Sequence, residues 1–311
     1  MNVLVLLPVQ PRHRALLEEA APGARIVYAS PEDVTDEQVG EAEVIIGNLE
    51  PERLRLARRL RLLQLNSAGY DKYAAAGTMP AGAQLACASG AYGQAVSEHM
   101  LAMVLSMMKR LPAYRDNQRA HRWEDEGTVT TLRGARVLVL GAGDIGTHFA
   151  ELACALGARV RGVRRSAREA QPPFEEIISM EDLLPALGEA DVVASFLPSA
   201  PGTRGLADAR FFSAMKPGAY FANGGRGDLV VTEDLVAALE SGRLAGAALD
   251  VTDPEPLPAD HPLWDAPGAL VTPHVSGWYH LSVTLDNIVG IAAENLRRHA
   301  QGETPRNLVA L

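Results

Sequence analysis

The sequence predicts an α/β protein with two domains, each built on a parallel sheet. Three observations support this prediction. Short apolar segments of strand length alternate with helix-like segments along most of the chain, which is the rhythm of βα units. One apolar segment runs directly into a glycine-rich turn and a helix. With 311 residues, the chain is long for a single hydrophobic core and suits two domains.

The glycine-rich turn follows residues 137–140, four apolar residues that fit a short strand buried on both faces. Gly141, Gly143 and Gly146 then stand in the spacing G-x-G-x-x-G. The first glycine of such a turn permits the tight bend, the second lets a pyrophosphate approach the backbone, and the third lets helix and strand pack closely. The phosphates would face the unpaired amides of a helix that begins near Asp144.

The segment after this turn strengthens the interpretation. Residues 147–156 have a helical pattern, Gly157 is a natural helix C-cap, and residues 159–163 form the next strand. The sequence therefore predicts a Rossmann-type dinucleotide-binding domain with a doubly wound parallel sheet. The alternative is an ordinary strand-turn-helix unit in which the glycines only relieve crowding.

The first hundred residues predict a small α/β domain of their own. After the last of its early strands the chain reads Ser-Ala-Gly-Tyr-Asp at residues 67–71. This turn follows the carboxyl end of a strand, where open α/β sheets place their ligands. The predicted strands cover residues 3–7, 25–29, 44–47 and 62–66, and the predicted helices cover residues 13–20 and the acidic segment 37–41.

Two segments follow this domain. Residues 95–110 predict a long apolar helix that bridges the two domains, with Glu98 and His99 near its start. Residues 112–134 are polar and predict either an exposed arm or oligomer contact, or a solvated helix and loop held by Trp123. The second domain continues with predicted strands at 191–196, 219–223, 245–250 and 269–272 and a helix at 232–241, and a final helix at 281–301 is expected to return to the first domain.

Composition narrows the possible classes of function. A net charge of -9 disfavours a nucleic-acid or acidic-membrane partner. Cys87 and Cys154 are too few for a disulfide framework and suit a reducing cytoplasm. No uncharged run is long enough to cross a bilayer, and the apolar N terminus lacks the basic residues of a signal peptide. The histidines are scattered without ligand spacing, so we expect no catalytic metal.

Three charged residues stand at or beyond the carboxyl ends of strands in the second domain. They are Arg226 in Asn-Gly-Gly-Arg-Gly-Asp, Glu255 in Asp-Pro-Glu-Pro-Leu, and His274 in Thr-Pro-His-Val-Ser-Gly. Taken singly, each has a plain alternative as a loop cation, a solvated carboxylate or a satisfied core histidine. Together they are the set that hydride transfer to a 2-oxo acid requires. They supply a cation for the carboxylate, a general acid for the carbonyl, and a carboxylate that keeps the acid protonated.

At these residues the sequence resembles the D-isomer-specific 2-hydroxyacid dehydrogenases, and the resemblance covers essentially the whole chain. The family pattern of a Gly-rich loop, then Arg-Gly, Glu-Pro-Leu and Pro-His-x-x-Gly occurs here in that order. The resemblance implies that Arg226 binds the substrate carboxylate, that His274 protonates the carbonyl oxygen, and that Glu255 accepts a hydrogen bond from His274. The backbone amides of Ala68 and Gly69 would form a second clamp on the carboxylate.

The resemblance also implies an architecture and further contacts. Residues 1–95 and 280–311 would form a discontinuous, flavodoxin-like substrate-binding domain, and residues 96–279 the dinucleotide-binding domain. The family is usually dimeric, with the arm around Trp123 in the interface. Trp278 would line the substrate pocket, although packing of the last helix explains it equally well. Besides the three glycines, the expected cofactor contacts are Asp144, Ile145, Leu197, Pro198, Thr203, Asn223, Gly224, Asp250, His274 and Gly277.

The strand end at residues 162–168 bears on the choice of nicotinamide cofactor. An acidic residue about 20 positions beyond the fingerprint would accept the ribose hydroxyls of NAD, but no carboxylate occurs there. Arg164 or Arg165 could pair with a 2′-phosphate and Ser166 could donate to it, so the sequence favours NADP over NAD. The alternative is that the arginines only solvate the strand end. Asp144 is expected to point away from the pyrophosphate and to cap the helix.

The leading hypothesis is a reductase of a small 2-oxo acid, such as glyoxylate or hydroxypyruvate, that uses NADPH and gives the D-2-hydroxy acid. The arginine pair resembles that of the glyoxylate/hydroxypyruvate reductase branch. A second hypothesis is an NAD-dependent enzyme working in the oxidative direction, such as a phosphoglycerate dehydrogenase. The missing acidic residue and the short segment after the last helix disfavour it. A third is a non-catalytic, dinucleotide-sensing interaction protein, which would have no need to keep the three charged residues together.

Overall fold

The computed structural model describes residues 1–167 and 169–310, which divide into two compact units. Unit 1 consists of Met1–Tyr92 and Tyr279–Leu311, and unit 2 consists of Gly93–Trp278. Each unit contains one sheet with parallel strand pairing, and helices connect most of the strands. The predicted α/β fold class is therefore confirmed. Residues 168 and 311 lie outside the described part of the chain.

Unit 1 begins with a run of short strands and helices. Its strands are β1 (Asn2–Val5), β2 (Arg25–Tyr28), β3 (Val44–Ile46), β4 (Leu62–Gln64) and β5 (Gln84–Ala86), and its first helices are α1 (Pro11–Ala20), α2 (Asp36–Glu41) and α3 (Asp71–Ala74). The strand order is β2-β1-β3-β4-β5. Because all these strands run in parallel, the loops that follow β1 to β4 emerge at one edge of the sheet.

Unit 2 is larger and is also built from alternating strands and helices. Its helices are α4 (Gly93–Met108), α5 (Leu111–Arg119), α6 (Asp144–Ala155), α7 (Leu183–Leu187), α8 (Ala209–Ala214) and α9 (Thr232–Glu240). Its strands are β6 (Arg136–Leu140), β7 (Arg159–Arg164), β8 (Glu176–Ser179), β9 (Val192–Ser195), β10 (Ala219–Asn223), β11 (Leu244–Leu249) and β12 (Ala269–Val271). They pair in the order β12-β11-β10-β9-β6-β7-β8. The order reverses direction at β6, which places the glycine-rich turn at the switch point of the sheet.

The last helix, α10 (Ser282–Ala300), belongs to unit 1. Its apolar face, including Leu285 and Ile288, shares a buried core with Val3 and Val5 of β1. The segment after α10 then runs along the edge of the sheet, where Leu308 forms an antiparallel bridge with Ala86. Residues far apart in sequence therefore complete one core.

Two strands were absent from the sequence prediction. β5 reads Gln-Leu-Ala and β8 reads Glu-Ile-Ile-Ser, so neither presents an uninterrupted apolar run of strand length. Pairing decides both, since β5 lies beside β4 and β8 lies beside β7. In the segment 112–134, residues 112–119 belong to α5 and the remainder is irregular. The Trp123 side chain in the irregular part is fully exposed, so Trp123 does not hold the loop in place.

Within the described residues, no helix is both long enough and apolar enough to cross a membrane. The same part of the chain contains no group of three or more His, Cys, Asp or Glu side chains arranged to hold a metal ion.

Candidate active site

The glycine-rich turn joins β6 to α6, and its three glycines meet different surroundings. Gly141 has a left-handed φ of 90°, and a Cβ there would lie 3.1 Å from the backbone of Phe196. A Cβ on Gly146 would lie 2.2 Å from the carbonyl oxygen of Gly141. Gly143 instead faces open space, with nothing within 4 Å of an added Cβ. The chain therefore leaves a cradle above Gly143 that a side chain would fill.

The N terminus of α6 opens onto this cradle. Gly143 is the N-cap residue and no side chain caps the helix. The amides of the first turn of a helix have no intrahelical acceptor, and the helix dipole makes this end positive. Asp144 is the first helical residue, and its carboxylate lies 3.6 Å from Nδ1 of His148. The expectation that Asp144 caps the helix was wrong, because its side chain lies beside the next turn of the helix.

Loops after neighbouring strands of unit 2 approach the same turn. The backbone of Phe196 and Leu197, after β9, lies against Gly141. A Cβ on Gly225, after β10, would lie 2.5 Å from the carbonyl oxygen of Leu197. Thr203 is held in its own loop, where its hydroxyl donates to Pro198 O at 2.7 Å. Backbone contacts therefore join the glycine-rich turn to the loop after β9, and that loop to the loop after β10.

Arg164, at the end of β7, contacts the glycine-rich turn directly. Its guanidinium donates to the carbonyl oxygen of Ala142 at 2.8 Å. Arg165 and Ser166 follow it and are exposed. A cationic strand end therefore lies beside the cradle, so the residues present fit a dinucleotide with a further phosphate on its ribose.

The loop that carries Arg226 is shaped by a buried amide. Asn223 donates from Nδ2 to Arg226 O at 2.9 Å and accepts from the amide of Gly225 at 3.1 Å. The next residue, Gly227, sits against the loop after β11, since a Cβ there would lie 1.8 Å from Thr252 O. Only glycine fits at this contact, which packs the loop of Arg226 against the loop that leads to Glu255.

Glu255 and His274 meet at the carboxyl ends of β11 and β12. Nδ1 of His274 lies 3.0 Å from Oε2 of Glu255, and the amide of Thr252 donates to Oε1 at 3.0 Å. Because an ionised carboxylate only accepts hydrogen bonds, Nδ1 of His274 carries a proton. Both side chains are partly exposed, His274 at 50% and Glu255 at 40%. Nε2 of His274 is thus the ring nitrogen that Glu255 does not bind.

The backbone of His274 is held in an uncommon conformation, with a φ of 53°. A left-handed residue other than glycine costs on the order of 1–3 kcal/mol and persists only where its surroundings hold it. The amide of His274 donates to the carbonyl oxygen of Asp250 at 2.7 Å. The Asp250 side chain is 1% exposed and accepts hydrogen bonds from Thr272 Oγ1 and from the amides of Val275 and Ser276.

Asp250 therefore organises the loop that carries His274. Its oxygens are occupied within unit 2, since the Ser276 hydroxyl donates to Oδ2 at 2.5 Å as well. The predicted contact of Asp250 with a cofactor carboxamide stays a prediction. Gly277 follows this network in the chain, and Trp278 beyond it is 58% exposed with its amide donating to Val275 O.

The second predicted clamp lies in unit 1, in the turn after β4. Asn66 and Asn48 exchange hydrogen bonds, each side-chain oxygen accepting from the other residue's amide at 2.7 and 3.1 Å. Ser67 Oγ donates to Gly69 O at 2.6 Å. Among the described residues, the amides of Ala68 and Gly69 have no acceptor. Two amides are therefore available to an anion.

Two tyrosines support this turn. Tyr279 accepts a hydrogen bond from Asn66 Nδ2 at 2.6 Å, and the Tyr92 hydroxyl donates to the carbonyl oxygen of Asn66. Burial raises the pKa of Tyr92, so its hydroxyl remains a donor across the physiological range. Beside the turn, the loops after β1 to β4 line an open-sided cavity of about 560 Å³ that includes Leu7, Tyr28 and Asn48.

The structure thus groups most of the predicted site residues at the carboxyl edges of two sheets. Unit 2 holds the cofactor residues and the Arg226, Glu255 and His274 set, and unit 1 holds Ala68 and Gly69. The sequence prediction missed Thr272 and Ser276, which bind Asp250, and it assigned His99 only to the start of a helix. A hydroxyl on each side of Pro-His-Val was the signal available in the sequence.

An uncapped helix after a glycine cradle, with a paired histidine and carboxylate at the same sheet edge, defines a dinucleotide-dependent oxidoreductase. Comparison with known proteins narrows this class. A profile described as the NAD-binding domain of D-isomer specific 2-hydroxyacid dehydrogenases matches residues 101–276. The chain belongs to the D-isomer specific 2-hydroxyacid dehydrogenase family, as the sequence resemblance indicated, and is an oxidoreductase of that family.

Individual relatives agree with this assignment. Glyoxylate/hydroxypyruvate reductase A of Photorhabdus laumondii is 34% identical over 237 residues, which is 75% of this chain and 73% of the relative. A D-isomer specific 2-hydroxyacid dehydrogenase family protein of Aeromonas salmonicida superposes with a TM-score of 0.88 at 34% identity, covering 99% of this chain and 98% of that chain.

A third relative was solved with bound cofactor. It is an NADPH-dependent glyoxylate/hydroxypyruvate reductase of Sinorhizobium meliloti in complex with NADP and sulfate. It is 26% identical, with a TM-score of 0.82 and coverage of 99% of this chain and 98% of that chain.

Proposed function

We propose that the protein reduces a small 2-oxo acid of the glyoxylate or hydroxypyruvate type to the D-2-hydroxy acid and prefers NADPH. The contact of His274 Nδ1 with Glu255 Oε2 at 3.0 Å carries this proposal. A protonated imidazole held by a carboxylate is the group that a developing alkoxide requires. Two relatives named for glyoxylate/hydroxypyruvate reduction support the substrate class.

Each residue of the site has a defined part in this reaction. Arg226 binds the substrate carboxylate and orients the oxo group, since a guanidinium matches a carboxylate with two hydrogen bonds. The amides of Ala68 and Gly69 would hold the same carboxylate. His274 donates its Nε2 proton to the carbonyl oxygen, and Glu255 stabilises the imidazole through Nδ1. When bound, the reduced nicotinamide supplies the hydride.

We propose that residues 96–279 bind the dinucleotide and that residues 1–95 with 280–311 bind the substrate. Gly141, Gly143 and Gly146, with the amides of Asp144 and Ile145, would hold the pyrophosphate. The open-sided cavity of unit 1 lies beside the Asn66 turn. Further cofactor contacts are assigned to Leu197, Pro198, Thr203, Asn223, Gly224, Asp250, His274 and Gly277, and Trp278 is assigned to the substrate pocket.

The choice of cofactor rests on Arg164, Arg165 and Ser166. Arg164 also binds Ala142 O, so its replacement would disturb the glycine-rich turn for either cofactor. Arg165 is exposed and offers the cleaner variant. We expect Arg165→Gln to raise the KM for NADPH about tenfold, because a charge-assisted hydrogen bond contributes about 1.5–3 kcal/mol, and to leave the KM for NADH unchanged. Arg210→Gln, an exposed arginine of α8, is the matched control.

The proposal is tested by following oxidation of NADPH and NADH with glyoxylate, hydroxypyruvate, pyruvate and a bulky aryl-2-oxo acid. We expect His274→Ala to lower kcat by about 100- to 10,000-fold, because general acid catalysis is lost. Glu240→Gln, a change at an exposed residue of α9 in the same unit, should leave kcat unchanged. A wild-type protein that consumes neither cofactor with any of these acids would overturn the proposal and favour a dinucleotide-sensing binder.

We also propose a homodimer, with the segment 112–134 in the interface. The fully exposed Trp123 and the exposed Leu111 and Val129 support this assignment, because large apolar side chains in water favour a protein contact. Light scattering of the purified protein measures the mass directly, and a monomer at micromolar concentration would contradict the proposal.

A further inference from the structure

The buried carboxylate of Asp250 is one end of a series of hydrogen-bonded side chains that extends to helix α4. Thr272 Oγ1 lies 2.6 Å from Asp250 Oδ1 and 3.0 Å from Nε2 of His99. Nε2 of His99 is itself 3.8 Å from Asp250 Oδ1. His99 lies on α4, more than 150 residues before Asp250 in the sequence, and the helix brings it to the carboxyl end of β12.

The protons of this hydrogen-bonded series can be assigned from which groups can donate and which can only accept. A hydroxyl has one proton, and an ionised carboxylate can only accept, so Thr272 donates to Asp250. Thr272 Oγ1 then accepts from His99, and Nε2 of His99 must carry a proton. His99 therefore donates to the Thr272 hydroxyl oxygen and leaves the hydroxyl proton for Asp250.

Helix α4 is seated firmly against this part of unit 2. Met103, one turn after His99, lies 3.6 Å from Thr272 Oγ1 through its sulfur. A Cβ on Gly224 would lie 2.9 Å from Met100 Cγ. The side chain of His99 is 28% exposed, so it is neither a solvated surface group nor a core residue. Its position is set by the packing of the helix on both sides.

We propose that His99 is a positioning residue for His274. Its Nε2 proton turns the Thr272 hydroxyl toward Asp250, and Asp250 in turn binds the amides of Val275 and Ser276. These bonds hold the left-handed backbone of His274 and so aim its imidazole. The inference rests on the proposed role of His274 as general acid, and it adds a residue from a different element to that role.

The kinetic test uses one variant that removes the hydrogen-bond donor of His99 and a second variant that puts a different donor in its place. His99→Leu removes the proton donor, and His99→Gln keeps an amide donor at similar reach. With NADPH and glyoxylate, we expect His99→Leu to lower kcat about 10- to 100-fold, because misplacing a reacting group is costly. The KM values should stay within about twofold, since neither ligand is bound by His99. His99→Gln should restore most of the lost kcat, and Glu98→Gln, exposed on the same helix, is the matched control.

Thr272→Val is a nearly isosteric change that interrupts the same series of hydrogen bonds at a second position. We expect it to lower kcat by a similar factor, and the double variant with His99→Leu should lose little more, because both changes remove one pathway. Additive losses would overturn the inference, as would an unchanged kcat in His99→Leu. If His99→Leu does not fold, His99→Gln and Thr272→Val decide the question. An unchanged kcat in His274→Ala would overturn the proposed function instead.

The proton assignment is tested without turnover. In the isotope-labelled full-length protein near neutral pH, the ring nitrogen shifts of His99 should show its proton on Nε2. Thr272→Val should reduce that preference, because the acceptor is gone. A neutral His99 with its proton on Nδ1 would overturn the inference even if the kinetic variants were impaired.

Discussion

The two sheets of this protein carry their predicted site residues at the same kind of edge but hold them by different means. In unit 2 the loops are held by backbone contacts at glycines and by one buried carboxylate, Asp250. In unit 1 the turn after β4 is held by neutral side chains, chiefly Asn48 and Asn66. Close backbone packing leaves no room for an added side chain, whereas a single neutral hydrogen bond can be lost while the others remain. Substitutions should therefore be more damaging in the loops of unit 2.

The largest effect is expected at Gly227 of unit 2. Gly227→Ala puts a Cβ 1.8 Å from Thr252 O, and neither backbone can move without shifting a loop of the site. We expect the free energy of unfolding to fall by about 3 kcal/mol or more, as for severe overpacking. Denaturant unfolding measures this change directly.

Gly143→Ala is the informative companion, because nothing lies within 4 Å of the added Cβ. We expect near-normal stability, with a Kd for NADPH weakened about tenfold or more, or about 1.4 kcal/mol, since the methyl group fills the cradle. Equal stability losses in the two variants would refute the view that close backbone contact at a glycine, rather than the loss of glycine itself, determines how strongly a substitution destabilises unit 2.

A smaller effect is expected in unit 1. Asn66→Ala leaves the amide of Asn48 without its acceptor and removes the hydrogen bond to Tyr279. We expect a loss of about 1–3 kcal/mol in stability and a several-fold rise in the KM for glyoxylate, with little change in kcat. Steady-state kinetics and denaturant unfolding check both quantities. Asn66→Asp keeps the acceptor for Asn48, so it should be milder; a harsher effect would argue against the hydrogen-bonded turn.

The smallest effect is a dependence of stability on pH. Burial would raise the pKa of Asp191, but hydrogen bonds from Lys216 and from the amide of Arg136 outweigh it and hold that pKa below its ordinary value. A folded pKa below the unfolded pKa contributes stability that is present above the unfolded pKa. This stability is lost as the pH falls through the folded pKa. Wild-type Tm should therefore decline below about pH 5.

Asp191→Asn should flatten that decline, and Asp260→Asn, an exposed aspartate of the same unit, should not. Thermal unfolding across the acidic range compares the three proteins. Identical slopes for wild type and Asp191→Asn would show that this ion pair has no part in the acid sensitivity of unit 2.

Sequence reasoning succeeded where local pattern is strong. The spacing of Gly141, Gly143 and Gly146 predicted a helix beginning near Asp144, and α6 begins there. It failed where pairing or packing decides the outcome. β5 and β8 lack an uninterrupted apolar run, and their strand character comes from pairing with β4 and β7. The capping role assigned to Asp144 failed because local sequence does not show which way a side chain turns.

The amino-acid sequence by itself determined the α/β class, the glycine-rich turn and the identities of Arg226, Glu255 and His274. Each depends on residue type at short spacing, and chain geometry makes short spacings informative. Only the tertiary structure decided that Gly227 abuts Thr252, that Asp250 is enclosed by the loop that carries His274, and that His99 reaches Thr272. These are contacts between segments far apart in the chain, formed when helix and sheet pack, and no local pattern encodes them.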